Sequence, residues 1–186
     1  AAKKPGKQGL DMVAVEKALS SKTPVVVIST SLGDIEVQLN VEKAPITCRN
    51  FLKYVVKGHY SGTIFHRVMS NFMIQGGGFE VGMKEKTTRA PIENEAKNGL
   101  SNVIGSIAMA RTMEPHSASA QFFINVSDNK FLAYPGQDGW GYCVFGKVTE
   151  GMDVINKMKN VDTTMRAGHQ DVPAEDLIIE EAIISE

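Results

Sequence analysis

Short strand-forming runs separated by turn residues recur along the chain, and this spacing constrains the fold more than any other feature. Residues 34–40 alternate strictly between polar and apolar side chains, which is the pattern of a half-buried strand. Residues 24–30 form a second strand-like run, and Gly33 in the intervening turn suits a positive φ. These two runs therefore predict a β-hairpin.

Further strand-like runs follow the hairpin with the spacing of an antiparallel sheet. They occupy residues 60–79 as a pair, 103–110, 121–126, 142–148 and 177–184, with loops over 81–100, 111–120 and 128–141. Two principal helices interrupt them, one opened by Ala44-Pro45 and ended by Gly58, the other over 151–159. This spacing of about seven or eight strands predicts a mainly β fold, an antiparallel sheet closed into a barrel.

The N-terminal part of the chain differs in composition from the rest. Residues 1–9 are rich in Lys, Gly and Pro, which predicts a disordered tail. Residues 11–21 carry an incomplete apolar stripe that predicts a short helix, with Asp11 placed to cap it. We therefore divide the chain into an N-terminal tail and short helix, 1–22, and one domain, 23–186.

Charge and apolar runs exclude several classes of protein. The formal net charge of the 186 residues is −1, which gives no support for a nucleic-acid or acidic-membrane partner. The longest apolar run, Val25-Val26-Val27-Ile28, is far shorter than the roughly 20 residues that a membrane helix needs. The length suits one domain with a full core.

Residues that often form metal or nucleophilic sites are scattered. Cys48 and Cys143 lack metal-site spacing and are predicted to be buried apolar residues rather than a disulfide. Glu93 and Glu95 are predicted to be solvated loop residues. No pair at helical ligand spacing occurs among the histidines, which are His59, His66, His116 and His169. We expect no metal, no cofactor and no covalent intermediate, and we interpret His66 as a packed, hydrogen-bonded residue rather than a base.

One stretch places an arginine and a glutamine among large apolar side chains and ends in three glycines. Arg67, Met73 and Gln75 are separated by even offsets, so in extended strands joined by a turn near Ser70-Asn71 they share one face. Such a patch can hold a peptide beside a fixed cation. From this stretch alone, a core hairpin with one solvated arginine is the simpler interpretation. The glycines 76–78 are predicted to allow close backbone packing rather than to bind a dinucleotide.

Several blocks of sequence together resemble one known family, the cyclophilin-type peptidyl-prolyl cis–trans isomerases, and most closely its bacterial periplasmic branch. The blocks, which occur in order from about Pro24 to the end, are Ala44-Pro45-Ile46-Thr47-Cys48-Arg49-Asn50-Phe51, Phe65-His66-Arg67-Val68, Phe72-Met73-Ile74-Gln75-Gly76-Gly77-Gly78-Phe79, Ser119-Ala120-Gln121-Phe122-Phe123-Ile124 and Val144-Phe145-Gly146-Lys147-Val148. The resemblance implies a closed eight-stranded antiparallel β-barrel capped by two α-helices, with a filled interior and an active groove on the outside.

The resemblance also implies the residues of the site. The catalytic residues are Arg67, Gln75 and Phe72, and the substrate-binding residues are Met73, Ala110, Arg111, Thr112, Gln121, Phe123, Phe131, Leu132 and Tyr142. Phe72, Met73, Phe123 and Leu132 correspond to the pocket for the proline ring. Residues 110–112 correspond to the segment that pairs with the substrate backbone.

Three positions depart from the commonest family pattern. Phe131 stands where a tryptophan is frequent, and Tyr142 stands where a groove histidine is frequent, so we expect weak binding of cyclosporin. Arg111 stands where many members have an asparagine used mainly through its backbone, and we expect this change to have little effect.

These residue types suit the isomerisation of X–Pro peptide bonds. Rotation breaks amide resonance against a barrier of roughly 20 kcal/mol, and the prolyl nitrogen regains its lone pair in the twisted state. A permanently charged donor at Arg67 would stabilise that state more than either planar one, without any covalent bond. We therefore predict an isomerase that assists protein folding.

The sequence also leaves alternative functions open and gives expectations for the partners, the oligomeric state and the location of the protein. The alternatives are a non-catalytic, chaperone-like binder of proline-containing segments and a barrel that stores a small apolar ligand. The expected partners are proline-containing peptides and unfolded proteins, and the expected state is a monomer. The branch resemblance and the small residues Ala1-Ala2, which a cleaved signal peptide would leave, predict a periplasmic location, with a cytoplasmic one as the alternative.

Overall fold

An antiparallel sheet of eight strands forms the centre of the fold in the computed structural model, which describes residues 7–186. The strands of the protein, in chain order, are β1 (Val25–Thr30), β2 (Gly33–Leu39), β3 (Thr63–Ile64), β4 (Arg67–Met69), β5 (Met73–Gly76), β6 (Phe79–Glu80), β7 (Lys84–Glu85), β8 (Ser106–Met109), β9 (Phe122–Asn125), β10 (Val144–Glu150), β11 (Thr163–Arg166), β12 (His169–Pro173) and β13 (Ile179–Ser185). The main sheet has the order β13-β1-β2-β10-β8-β9-β5-β4, and two small sheets contain β3-β6-β7 and β11-β12.

The α-helices are α1 (Lys7–Leu19), α2 (Pro45–Val56) and α3 (Met152–Lys159). The structure confirms that proline opens α2, and Gly58 just beyond its end has a positive φ of 71°. No helix within residues 7–186 combines the length and apolar character needed to span a membrane.

Side chains fill the interior of the curled sheet. Alternate residues of β1 and β2, such as Val26, Ile28 and Ile35, are almost completely buried. Phe51 of α2 packs against Phe145 with ring centroids 5.2 Å apart and against Phe122 at 5.8 Å. This filled interior argues against the storage of a small ligand inside the barrel.

The sheet is curled but not continuously closed, so the prediction of a closed barrel is an overstatement. Among the described residues, the edge strands β4 and β13 share no ladder. The chain around β3, rather than β4, bonds to the start of β13: Gly62 N–H donates to Ile179 O at 2.8 Å and Phe65 N–H donates to Leu177 O at 2.9 Å. β3 itself pairs with β6 in a separate small sheet.

Two polar regions contain more structure than the sequence predicted. The loop expected before the last strand contains the hairpin β11–β12, whose first strand is largely exposed and has no apolar alternation. The excursion over residues 81–100 contains β7, and it buries Met83 and Ala96. Both regions lack the periodic apolar pattern from which elements are recognised.

The first helix packs against α2 through Val15 and Ala18, which are buried. An exposed ion pair between Glu16 and Arg49 adds a further link between the two helices, of a kind that contributes little to stability because solvent screens it.

Of the predicted disordered tail, residues 1–6 lie outside the described part of the chain. For residues 7–9 the prediction is wrong, because α1 begins at Lys7.

The two cysteines are buried and unbridged, as predicted. Burial raises the pKa of both thiols, to about 11 for Cys143. Cys48 Sγ lies 3.6 Å from the carbonyl oxygen of Phe145. Both residues therefore act as small core residues in their resting state.

A carboxylate distant in sequence caps α2. Ala44, at the N-cap, has no side-chain oxygen, and Glu95 takes over its role. Glu95 accepts hydrogen bonds from the N–H of Thr47 at 2.7 Å, from the hydroxyl of Thr47 at 2.8 Å and from the N–H of Ile46 at 3.3 Å. The prediction that Glu95 is a solvated loop residue is therefore wrong, whereas Glu93 is exposed.

Replacing Glu95 should weaken the start of α2. We expect Glu95→Ala to lower the free energy of unfolding by about 1–2 kcal/mol, because helix N–H groups lose a charged acceptor. Glu95→Gln, which keeps one acceptor oxygen, should cost less. Urea denaturation measures both effects, and Glu93→Ala is the matched control, expected within about 0.5 kcal/mol of the parent. Equal stabilities of the Glu95→Ala and Glu93→Ala variants would contradict the capping role.

Candidate active site

Three neighbouring strands align the polar residues of the site in one row. The registers pair Arg67 of β4 with Gln75 of β5, and Gln75 with Phe123 of β9. Directly opposite residues on antiparallel strands have side chains on the same face about 5 Å apart. The structure thus confirms that Arg67 and Gln75 share a face.

Alternation along β9 separates the core from the site. Phe122 and Ile124 belong to the interior cluster, whereas Phe123 faces the outside of the sheet. A second apolar cluster covers that outer face, with a buried part consisting of Met73, Ala108, Ala110, Phe123 and Val144. The site therefore lies on the outside of the barrel.

A small hollow opens over this outer cluster. Its volume is about 140 Å³, and the residues that line it are Arg67, Phe72, Met73, Gln75, Ala110, Arg111, Phe123, Leu132 and Tyr142. Met73 and Phe123 form an apolar floor, being 2% and 4% exposed, and Arg67 is exposed at the rim. A hollow of this size fits one ring rather than a whole ligand, which typically needs about 300–1,000 Å³.

A pair of glutamines forms the polar side of the hollow. Gln75 Nε2 donates a hydrogen bond to Gln121 Oε1 at 2.9 Å. Gln121 thus holds Gln75 without lining the hollow itself. Among the side chains that the structure describes, none accepts a hydrogen bond from the Arg67 guanidinium or forms an ion pair with it, so its donors are available to a ligand.

Two other predicted residues lie at the margin of the hollow. Phe131 is 52% exposed and stacks on Phe72, with ring centroids 6.0 Å apart and an interplanar angle of 18°. Thr112 directs its polar atoms to the neighbouring loop, where its N–H and hydroxyl lie 2.9 Å and 2.8 Å from the Ser117 hydroxyl.

Buried asparagines, which the sequence analysis missed, hold the wall of the hollow. Asn129 Nδ2 donates to the carbonyl of Phe72 at 2.8 Å and to Asn125 Oδ1 at 2.9 Å. Asn125 in turn donates to Asn102 Oδ1 at 3.0 Å. The sequence feature that could have indicated this network is an asparagine at the end of an apolar strand, in Phe-Phe-Ile-Asn. The network fixes the turn that carries Leu132 to the strands below it.

The side chain of Arg111 also makes structural contacts, which the sequence pattern did not predict. It is 2% exposed, pairs with Asp138 at 2.7 Å and donates to the carbonyl of Gly141 at 2.8 Å. Its guanidinium carbon lies 4.4 Å from the centre of the Tyr142 ring. Hydrogen bonds from Gly141 N–H, from Arg111 and from Trp140 N–H lower the pKa of Asp138 to about 2.

His66 neighbours Arg67 but belongs to a different environment. It is buried, and its ring packs 4.6 Å from Phe79 and 6.3 Å from His169. Burial, with smaller contributions from the charges of His169 and Arg67, lowers the pKa of His66 to about 4. Its Nδ1 has no hydrogen-bond partner among the residues that the structure describes. His66 is therefore a neutral packed residue rather than a base, as predicted, but the prediction that its ring is hydrogen-bonded is wrong for Nδ1.

No metal centre is formed by the described residues, since no three of their His, Cys, Asp or Glu side chains are grouped suitably.

The glycines beside the site have a packing role. A Cβ on Gly77, whose φ is 89°, would lie 2.8 Å from the Tyr60 ring. A Cβ on Gly78 would lie 2.4 Å from Gln121 Nε2 and 2.5 Å from its Cγ. The close approach of this strand to Gln121 requires the absence of a side chain at Gly78.

The buried His66 should make the protein less stable in acid. In the unfolded chain its imidazole gains a proton below about pH 6.5, whereas in the folded protein it stays neutral until about pH 4. The unfolded state therefore binds protons first, and about 2–3 kcal/mol of stability should be lost as the pH falls through this window. Urea denaturation at pH 7.5 and 4.5 measures the loss.

A glutamine at position 66 should flatten this pH dependence. The slope should not vanish, because burial also lowers the pKa of His59. His116→Gln, which replaces an exposed histidine in another loop, should keep the parental slope. If His66→Gln and the parent lose equal stability between the two pH values, His66 is not the group responsible.

Adding a methyl group at Gly78 should disturb the glutamine pair without unfolding the protein. Gly78→Ala forces Gln121 into another rotamer and breaks its bond to Gln75, so we expect a 5- to 10-fold loss of isomerase activity, about 1–1.4 kcal/mol. Gln121→Ala should cause a similar loss. Because both changes act through one contact, the double variant should lose little more than either single one. If the loss of activity in the double variant equals the sum of the two single losses in free energy, the change at Gly78 does not act through Gln121.

Comparisons with known proteins agree with this geometry. Residues 25–184 match the family described as cyclophilin type peptidyl-prolyl cis-trans isomerase/CLD. The chain is 57% identical over 164 residues to peptidyl-prolyl cis-trans isomerase B of Escherichia coli K12, a match covering 87% of this chain and 100% of that protein. It is 58% identical over 159 residues to the isomerase cyp18 of Streptomyces antibioticus, covering 84% and 96% of the two chains.

A solved structure supports the fold. A cyclophilin-type isomerase of Cryptosporidium parvum superposes with a TM-score of 0.72 at 26% identity, covering 88% of this chain and 98% of the other. A second crystal structure of that protein, obtained in the presence of the dipeptide Ala-Pro, gives a TM-score of 0.71 at 27% identity, covering 87% and 99%.

Proposed function

Since the chain belongs to the cyclophilin family of peptidyl-prolyl cis–trans isomerases, we propose that it carries out this reaction in the hollow beside Arg67. The observation that carries the proposal is the position of Arg67. Its uncommitted donors stand at the rim of a hollow whose floor is apolar and whose size fits one ring.

Arg67 is the proposed catalytic residue. As the X–Pro bond twists, conjugation is lost and the prolyl nitrogen becomes a hydrogen-bond acceptor. A guanidinium donor aimed at this nitrogen gains an interaction that neither planar isomer offers, which lowers the barrier in both directions. Arginine is suited to this because it is charged at every working pH and presents several rigid donors. No proton needs to be transferred, so His66 can be neutral and turned away.

The apolar residues hold the ring while the acyl side turns. Met73 and Phe123 form the floor of the hollow, and Phe72 and Leu132 form walls. These side chains exclude water from the prolyl nitrogen, which strengthens the contact with Arg67 because competing solvent is removed. The ring is thus fixed and the preceding carbonyl is the moving part.

The polar side of the groove orients the rest of the peptide. Gln75, held by Gln121, presents an amide beside Arg67 and can bind a substrate carbonyl. The backbone of residues 110–112 is the proposed partner of the substrate main chain. Ala110 and Arg111 border the hollow directly, which supports this assignment, and Thr112 is the next residue of the chain.

The substrates and setting are further parts of the proposal. We propose that the protein acts as a monomer on exposed proline-containing segments of unfolded proteins. Phe131 offers no N–H donor, which supports weak cyclosporin binding. The periplasmic location rests on the sequence resemblance to that branch of the family, and the cytoplasm is the alternative.

Removing the guanidinium should abolish most of the activity. We expect Arg67→Ala to lower kcat/KM by on the order of 100-fold, the effect of deleting one preorganised donor to the transition state. Arg67→Lys, which keeps the charge but loses the planar fork, should recover only part of it. A protease-coupled assay on a short X–Pro peptide measures each rate. Arg49→Ala, which removes an exposed arginine of α2, is the matched control and should retain parental activity.

Full activity of Arg67→Ala would refute the mechanism. NMR exchange on a labelled X–Pro peptide distinguishes catalysis from binding alone. Chemical-shift changes without accelerated cis–trans exchange in the parent protein would favour the chaperone-like binder.

A further inference from the structure

A second and larger hollow adjoins the one that holds the ring. Its volume is about 310 Å³, and its lining residues include Met113, Phe131, Leu132, Asp138 and Tyr142. Arg111, Leu132 and Tyr142 border both hollows. The two hollows are therefore neighbours, within reach of one bound peptide.

We propose that this second hollow is a subsite for a large apolar side chain, aromatic or aliphatic, on a residue adjacent to the proline in the same peptide. The proposal rests on the proposed function, because it takes the proline ring to lie in the smaller hollow. The subsite would make the enzyme prefer peptides with a large apolar residue next to the proline. Isomerisation of the X–Pro bond does not itself require such a residue.

Two exposed apolar residues support an apolar occupant. Met113 is 93% exposed and Phe131 is 52% exposed, and both line the hollow. Large apolar side chains at the rim of a concave site are the usual sign of a surface that becomes covered on binding. A methionine side chain also adapts its shape to different partners, which suits an enzyme with many substrates.

The charges of the hollow are already paired with each other. Arg111 is directed to Asp138 and to the carbonyl of Gly141, and its side chain is 2% exposed. Asp138 also accepts hydrogen bonds from the N–H groups of Trp140 and Gly141, both at 3.1 Å. A charged substrate side chain would find no uncommitted counter-charge here. The pairing therefore favours an uncharged occupant over Lys, Arg, Asp or Glu.

The same contacts keep the hollow open before a peptide arrives. Arg111 joins the groove segment to the loop that carries Asp138 and Gly141. A Cβ on Gly141 would lie 2.7 Å from the carbonyl oxygen of Leu132, so the loop returns tightly against the wall of the site. A preformed subsite binds its side chain with little ordering cost.

The test measures kcat/KM for a series of X–Pro peptides and compares the values as ratios. Alanine, leucine, phenylalanine, glutamate and lysine are placed in turn immediately before and immediately after the proline. We expect phenylalanine and leucine to exceed alanine by roughly tenfold at one of these positions, and glutamate and lysine not to exceed it. NMR titration of the same peptides gives the ratio of Kd values where turnover is too slow to measure.

Variants locate the preference in the second hollow. Met113→Ala should lower the phenylalanine-to-alanine ratio about threefold or more, and Met113→Glu should lower it further while raising the rate with lysine. Met165→Ala is the matched control, because Met165 is an exposed methionine on β11, 66% exposed, outside both hollows.

The outcomes separate this proposal from the mechanism. A ratio near one at both positions, a preference for a charged residue, or equal ratios in the parent and Met113→Ala would overturn the subsite. An active Arg67→Ala variant would overturn the mechanism and leave the ratio readable. Loss of the ratio in Met165→Ala would also overturn the subsite, because the preference would then arise elsewhere.

Discussion

The pairing of β5 with β9 is the constraint on which the rest of the structure depends, because both faces of this strand pair are covered. Ile74 and Ile124 lie opposite each other inside the barrel, whereas Met73 and Phe123 belong to the outer cluster. A shift of register by one residue would exchange the two sets. Core and active site would then be lost together, so the stability of the barrel and the geometry of the hollow are set by one ladder.

Buried polar groups, rather than apolar contacts, position the loops around this ladder. Asn129 holds the turn that carries Leu132, Arg111 holds the loop up to Gly141, and Glu95 holds the polar excursion to the start of α2. Each of these groups is satisfied by several partners, and removing one would leave the others unpaired in a poorly solvated place. The walls of the site are thus fixed by specific hydrogen bonds.

This division explains how much the sequence could predict. Alternation and turn residues predicted the hairpin β1–β2, and even spacing predicted that Arg67 and Gln75 share a face, because both follow from local geometry. Local pattern could not show that Glu95 caps a helix 49 residues away, or that Arg111 is buried against Asp138. The strands β11 and β12 were missed because a hairpin with an exposed strand has little apolar alternation. Family resemblance predicted the residues around the hollow, but the asparagines beneath them lie outside its motifs.

The small volume of the ring-binding hollow has a kinetic consequence. A hollow of about 140 Å³ that holds one ring offers few contacts of its own to resist dissociation, so we expect the ring to leave it quickly. Brief residence keeps a folding chain free between encounters and lets one enzyme molecule sample many prolines in turn. Because the interior of the barrel is filled, the site is a shallow hollow on the outer surface. This architecture favours rapid turnover over high affinity for the substrate.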